Sequence, residues 1–282
     1  MKIIINEIIS FFISLFKKSD GPGNDSTKHS PVPPDNKREE KEMNNVTEEI
    51  QKINEIKMAD YSKLMVHLDN GHGKATPGKR SPSATTGKGY GNYSAEELTI
   101  FEYDYNRQIV KLVDEKLRQL GFKTFIVTPE TEGDVGLTAR TIRSNNMVKK
   151  NPTLKHIFIS AHLNACGDGK TWYTGKSGSY WCAYTSKGQT QGDKLADCFY
   201  DAAEEILKPL GKTIKTDMSD GDRDLEENFT VITKTSSPAV LVESLFMTNV
   251  DDVLFLKSEK GKQAIVDVYV NAVKKYAERF VK

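Results

Sequence analysis

Beyond about residue 60, short runs of β-branched and aromatic residues alternate with longer stretches in which apolar residues recur every three or four positions. That alternation is the strongest constraint on the fold. Residues 64–68, 124–127, 156–159, 179–184, 229–232 and 239–242 read as strands. Ile109, Val113, Leu117 and Leu120 step along one helix face and stop at Gly121; Leu195, Phe199, Ala202 or Ala203, Ile206 and Leu210 mark a second helix. Ile265, Tyr269, Ala272, Tyr276 and Phe280 mark a third. Strands that alternate with amphipathic helices predict an α/β fold: a single three-layer domain with a twisted, mostly parallel sheet of about six strands covered by helices on both faces. In such sheets ligands gather beyond the carboxyl ends of the strands, so polar residues where a strand runs out are the first site candidates.

The N-terminal fifth has a different composition. Ile3 to Phe16 are strongly apolar, yet Asn6, Glu7, Ser10, Ser14, Lys17 and Lys18 share one helix face, which predicts an amphipathic helix over residues 1–18. Residues 3–18 would reach only about 24 Å at ~1.5 Å per residue, short of a ~30 Å hydrocarbon core. The two lysines follow the apolar run and no A-x-A pattern appears, unlike a cleavable signal peptide. An in-plane membrane anchor is the expected role, against an atypical signal or signal-anchor and a helix packing on a partner. Residues 19–60 are rich in Gly, Pro, Ser, Asn and charged side chains and predict a disordered linker, with one short helix around Ile50, Ile53 and Ile56. Residues 61–282 would form the folded domain.

Composition excludes some functions. Forty Lys and Arg against 39 Asp and Glu give no global field for nucleic acid, and no basic cluster is interleaved with aromatics. Cys166, Cys182 and Cys198 have no CxxC spacing, so they read as structural thiols. There is no Walker loop, GxSxG elbow or HExxH. The glycine-rich run from Gly87 to Gly91 lacks the strand-to-helix setting of a phosphate cradle and reads as a loop beside the site.

Four residues remain as site candidates. His72 follows the first strand between Gly71 and Gly73, and Asp69 is a carboxylate that could hold its second ring nitrogen. His162 ends the strand that begins at His156. The other histidines, His29, His67 and His156, lack this placement. Ser94 and Glu97 form a capping box that accounts for Glu97, and Glu96 is a first-turn carboxylate. Glu102 has no such reason, since it falls on the inward stripe with Asn106, Ile109 and Val113, where a metal would resolve its charge. Glu243 closes the last strand in apolar company. It is either a paired structural carboxylate or a general base of raised pKa.

Asp69 to Gly73, Glu102 to Asn106, Leu137 to Asn145, Ser160 to Ala165 and Pro238 to Glu243 resemble, in order, the D-x-G-H-G, E-x-x-x-N, L-x-x-R-x-x-x-A-N, S-x-H-x-N-A and P-A-V-L-V-E segments of the zinc-dependent N-acetylmuramoyl-L-alanine amidases, the Amidase_3 family. Asn70 stands where the family has proline, and Ser144 where it has alanine. The resemblance implies one Zn2+ held by His72, Glu102 and His162, with Glu243 as the catalytic carboxylate. It implies peptidoglycan as substrate, cut between N-acetylmuramic acid and L-alanine, and hence a protein of the cell envelope. Asp69, Asn106, Arg140, Asn145 and Asn164 would brace the ligands or touch substrate. A non-catalytic peptidoglycan-binding or membrane-tethered protein on the same fold, and a zinc peptidase of the stem peptide, are the alternatives.

Overall fold

The structure is a computed structural model that describes residues 60–129 and 133–281. The predicted N-terminal helix, the linker and its short helix lie outside the described residues. Six strands form one sheet: β1 (Leu64–Asp69), β2 (Lys123–Ile126), β3 (Lys155–Asn164), β4 (Trp181–Thr185), β5 (Leu225–Glu226) and β6 (Ala239–Phe246). Their order is β2-β1-β3-β6-β4-β5. All neighbours are parallel except β4, which runs antiparallel to β6. The helices are α1 (Pro82–Thr86), α2 (Ala95–Leu98), α3 (Glu102–Gln119), α4 (Leu137–Lys150), α5 (Gln191–Leu207), α6 (Thr230–Thr233), α7 (Val250–Lys257) and α8 (Glu259–Phe280). None of the described helices is long and apolar enough to cross a membrane.

Side chains alternate across a sheet with period two, and here the two faces have different fates. One face carries Leu64, Val66, Leu68, Ile157, Ile159, Ala161, Val240 and Val242, packed with apolar residues of α3, α5, α7 and α8 into the main core. The other carries a smaller apolar cluster of Phe158, Ala239 and Leu241, covered by Val231 and Ile232 of α6. This second face also holds, at the same parity, His67, Asp69, His156, Ser160, His162 and Glu243. Its helices α4 and α6 leave the carboxyl end of the sheet open.

The structure departs from the sequence expectations in four places. Residues 229–232 are not a strand: Thr233 N–H and Lys234 N–H donate to the carbonyls of Phe229 and Thr230, and one helical turn presses Val231 and Ile232 onto the sheet. Burial of an adjacent apolar pair overrides their β preference. The two-residue β5 is too short to leave a pattern. Strands β3 and β6 run past the polar residues read as their ends, so His162 and Glu243 lie inside the sheet as direct neighbours. The register then slips, where Leu245 adopts φ 71 in the left-handed region. Finally, the Ser94–Glu97 capping box closes only α2; the chain extends at Thr99 and a separate helix, α3, starts at Glu102.

Candidate metal centre

His72 reaches the sheet's open edge because the chain after β1 squeezes through two tight passages. A Cβ on Gly71, whose φ is +68, would lie 2.7 Å from the Ala161 carbonyl; one on Gly73 would lie 1.7 Å from that of Gly133. Only glycine fits either place. Asn106 steadies the first passage by donating from Nδ2 to the Ala161 carbonyl at 2.8 Å. The Arg107 guanidinium donates to the His72 carbonyl at 2.6 Å.

Glu102 is the first residue of α3 and is fully buried. The positive end of the helix dipole favours a carboxylate there, a reason for its position that the single-helix reading had denied it. Its Oε1 accepts from the Leu163 amide at 3.1 Å and lies 3.0 Å from His162 Nδ1 and 3.7 Å from His72 Nε2. Its Oε2 is buried without a hydrogen-bond partner. The two imidazoles face each other edge to face, their centroids 4.9 Å apart.

His162 is oriented from behind. Ser160 Oγ donates to Asp69 Oδ2 at 2.7 Å, so at 3.1 Å from His162 Nε2 its lone pair accepts the ring N–H. That leaves the Nδ1 lone pair pointing at the Glu102 carboxylate, two acceptors 3.0 Å apart. Only a proton or a cation makes such a contact favourable. With protein groups alone it is a proton: burial would push the His162 pKa down, but the hydrogen bond and charge of Glu102 outweigh burial and raise it. Burial likewise opposes ionisation of Glu102, and the two histidines overcome it, holding its pKa down. His72 is pushed down to about 4, chiefly by burial, and offers a neutral imidazole at pH 7.

The donor set fits a metal. One ligand atom each from His72, Glu102 and His162 lies within 4.8 Å of the others, and the two donor separations of 3.0 and 3.7 Å bracket the ~3.3 Å between donors about 2.0–2.1 Å from a tetrahedral centre. Two imidazoles and a carboxylate are the hydrolytic type of site, with an open fourth position. In the other acidic triad among the described residues, Asp193 and Asp224 accept from Thr190 and Thr185 and Asp222 Oδ2 accepts from Gln189, while Asp222 Oδ1 is buried without a partner; this triad has no histidine.

Glu243 stands beside His162 in the β3–β6 register and beside Cys182 in the β6–β4 register. Its Oε2 is buried without a hydrogen-bond partner. Burial raises its pKa to about 7; the nearby His162 pulls it down and Glu102 pushes it further up. No Arg or Lys within 4.0 Å pairs with it among the described residues, so the structural reading of this carboxylate loses its premise.

The remaining candidates are mostly braces. Asp69 does not hold His72 as expected; it holds His162 through Ser160 and pairs with Arg140 at 2.7 Å, both side chains almost fully buried. Arg140 also donates to the Val135 carbonyl and to Asp134 at 3.0 Å. Asn145 spans the Lys234 carbonyl and the Ser236 amide, which fixes the approach to β6. Asn164 accepts from the Ala165 amide with its side chain and from the Met247 amide with its carbonyl. Asn70 exchanges hydrogen bonds with Thr128, which proline could not do. Ser160 was missed, although Ser-x-His in a strand puts both residues on one face. A cleft opens beside His72 and His162, walled by Val135, Leu137, Arg140 and Val231. The Gly87–Gly91 run forms an exposed turn with a Tyr90–Tyr93 bridge and is not part of the cleft wall among the described residues.

Residues 66–275 match the N-acetylmuramoyl-L-alanine amidase family, Amidase_3. The chain is 31% identical over 213 residues to an endolysin of Bacillus phage SPP1; the match covers 74% of this chain but 64% of the endolysin. It is 25% identical over 215 residues to the uncharacterised protein YqiI of Bacillus subtilis, covering 76% and 85% of the two chains. Among solved structures, the fold is similar to an N-acetylmuramoyl-L-alanine amidase of Clostridium difficile 630 (TM-score 0.57, 23% identity, 78% of this chain and 99% of that one). It is also similar to the amidase Ami1 of Mycobacterium smegmatis (TM-score 0.57, 18% identity, 78% and 99%).

Proposed function

This chain belongs to the N-acetylmuramoyl-L-alanine amidase family, Amidase_3, and from that membership we propose that it hydrolyses the amide between N-acetylmuramic acid and L-alanine in peptidoglycan. The observation that carries the mechanism is the pair of buried, partnerless carboxylate oxygens, one on Glu102 and one on Glu243, on either side of His162. They have different jobs. Glu102, His72 and His162 would hold a zinc ion, the Glu102 carboxylate and the two imidazoles being its donors. Bound there, zinc supplies Lewis acidity enough to polarise a carbonyl and to lower the pKa of a water to about 7.

Glu243 moves the proton. Its raised pKa makes it a base matched to neutral pH: it accepts a proton from the attacking water and returns it to the alanine nitrogen as the C–N bond breaks. The products are the muramic carboxylic acid and a free stem-peptide amine. Asp69 and Ser160 keep His162 in the ligating tautomer, and the apolar wall of Val135, Leu137 and Val231 limits water on one flank. Such an enzyme works in the cell envelope, and residues 3–18, as an in-plane helix, would hold it at a membrane surface.

The test is a digest of purified peptidoglycan analysed by mass spectrometry, with bound zinc measured in parallel. Wild type should release intact stem peptides. Glu243→Gln should retain zinc and release none, and His162→Ala should lose both. A zinc-loaded Glu243→Gln protein with full activity overturns the proton-transfer role; cleavage inside the stem peptide overturns the substrate bond.

A further inference from the structure

We propose that Asp193, Asp222 and Asp224 form a second cation site, which takes a calcium ion and pins the edge of the sheet. It is separate from the candidate zinc centre and from the reaction proposed there.

The run Asp222-Arg223-Asp224-Leu225-Glu226 alternates acids with other residues, and the two sets part company. Arg223 turns to Asp197 and Asp201 of α5 at 3.0 and 2.8 Å, and Leu225 is buried. The acids face the turn between β4 and α5. Asp224 accepts from Thr185 Oγ1, Asp222 Oδ2 from Gln189 Nε2 at 3.2 Å, and Glu226 from the Gly188 amide. Asp193 joins them from the first turn of α5, where it closes a capping box with Thr190. Thr185 is three residues along β4 from Cys182, the neighbour of Glu243, which is about 10 Å at ~3.3 Å per residue.

Three gathered carboxylates call for a counter-charge, and the described residues supply none. No ion pair among them engages Asp193, Asp222 or Asp224. Asp224 is 2% exposed and Asp193 8%. Asp222 Oδ1 is buried without a hydrogen-bond partner, and the one bond that Asp224 accepts, from Thr185, ends on its Oδ2. The Asp224 carboxyl also meets that of Asp222, acceptor against acceptor. As between Glu102 and His162, only a proton or a cation makes such a contact favourable. With protein groups alone it is a proton: burial, with Asp222 and Asp193 alongside, outweighs the Thr185 hydrogen bond and raises the Asp224 pKa to about 7.

The donors name the ion. They are all oxygens, with no imidazole or thiolate, which suits a hard cation. One oxygen from each residue lies within 4.8 Å of the others, the span across an ion whose ligands stand at ~2.4 Å. Calcium accepts that spacing and an irregular shell, whereas magnesium at ~2.0–2.1 Å demands a tighter octahedron. Bound there, calcium cross-links β5, an edge strand of two residues, to the start of α5.

The experiment titrates calcium chloride into the zinc-loaded full chain by calorimetry. Urea unfolding is followed in parallel in calcium-free buffer, in about 5 mM calcium chloride, and in sodium chloride of equal ionic strength. Wild type should bind one calcium ion with a Kd on the order of 10⁻⁴ M, and its urea midpoint should rise with calcium but not with sodium. Asp222→Asn and Asp224→Asn should each weaken binding about tenfold or more. Asp222→Asn, at a half-buried position, should be no less stable than wild type without calcium, because the amide removes a repulsion, and less stable with it. Asp220→Asn, exposed and outside the triad, should bind as wild type does. Absence of binding at about 5 mM calcium, or binding unchanged in both triad variants, overturns the site. So does an Asp222→Asn protein that is more stable than wild type with and without calcium, since the carboxylates would then be sharing a proton.

Discussion

Asp69→Asn tests whether His162 is tuned from behind. The Asp69 carboxylate accepts from Arg140 at 2.7 Å, from Ser160 Oγ at 2.7 Å and, more weakly, from Thr128 Oγ1 at 3.4 Å. An amide has the same shape but only one acceptor, so its NH2 must face either Arg140 or Ser160. Facing Arg140, it strips a guanidinium that is 3% exposed of its closest counter-charge. Breaking a buried pair costs ~3–5 kcal/mol, and Arg140 keeps Asp134, so the lower end applies. Facing Ser160, it donates to the hydroxyl, which turns to donate to His162 Nε2 and leaves the ring proton on Nδ1, toward Glu102. Loss of such a support lowers metal affinity ~10–100-fold, or about 1.4–2.7 kcal/mol. Asp134→Asn is the control: Asp134 is 42% exposed, so its loss should cost less than ~1 kcal/mol and leave zinc affinity alone. Urea denaturation of the metal-free proteins gives the first quantity and chelator competition the second. Zinc affinity of Asp69→Asn within twofold of wild type, together with unchanged stability of the metal-free protein, would refute the relay from Asp69 through Ser160 to His162, because the amide must disturb one partner or the other.

Three further outcomes concern pH. Glu243 has a folded-state pKa of about 7, above its ordinary 4.5, so folding favours its protonated form. The penalty for holding it ionised, at most ~3 kcal/mol, is fully present above pH 7 and gone below about 4.5. Metal-free Glu243→Gln should therefore out-stabilise wild type in urea at pH 8 and lose that advantage near pH 4.5; an equal gain at both values would contradict the assignment. With the dication bound the base titrates lower, so the acid limb of kcat/KM should fall at or below pH 7. His67 is depressed from 6.5 to about 3 by burial and, secondarily, by His156. Its neutral form contributes stability that is complete above pH 6.5 and lost as pH falls toward 3, so His67→Val should flatten acid unfolding across that window. Ser144→Ala should lower stability by ~1–3 kcal/mol by leaving His67 Nδ1 without its 2.7 Å partner; an unchanged urea midpoint would discount that bond.

The layout of the sheet and three of its helices was legible because their apolar periodicity is strong. The site was legible for a weaker reason, and partly for a mistaken one. Glu102 stands out in the sequence as a carboxylate on the inward stripe of a helix; it opens a new helix instead, and it stays a candidate because its Oε2 has no partner wherever the helix starts. His162 and Glu243 were read as strand ends because polar residues conventionally end strands. They continue the ladder, since backbone pairing is indifferent to side-chain polarity when the face above is open. Ser160 and Arg140 gained meaning only from register and packing, which bring Asp69 beside the first and beneath the second. The turn at Thr230 was illegible because two buried apolar residues in a row suit a buried strand as well as a single helical turn.

What separates a structural histidine from a chemical one here is cover, not sequence. His67 and His162 lie on the same face of neighbouring strands, each within hydrogen-bond distance of a serine hydroxyl. Above His67, α4 closes the sheet: Ser144 takes Nδ1 and His156 takes Nε2, while His156 Nε2 donates to the Asn151 carbonyl, so every ring nitrogen of the pair is used. Arg140, one turn before Ser144 on α4, makes the parallel contact to Asp69, two residues along β1 from His67. The two rungs fix α4 in one register. Toward the carboxyl end the cover stops, and the next polar row of that face is His162, which lines the cleft, and Glu243, whose Oε2 is buried without a hydrogen-bond partner. The same alternation that builds a sealed polar ladder under α4 therefore delivers, one row further along, a site whose remaining valences have no protein partner. Lengthening α4 or α6 over that edge would turn the candidate centre into a second sealed ladder.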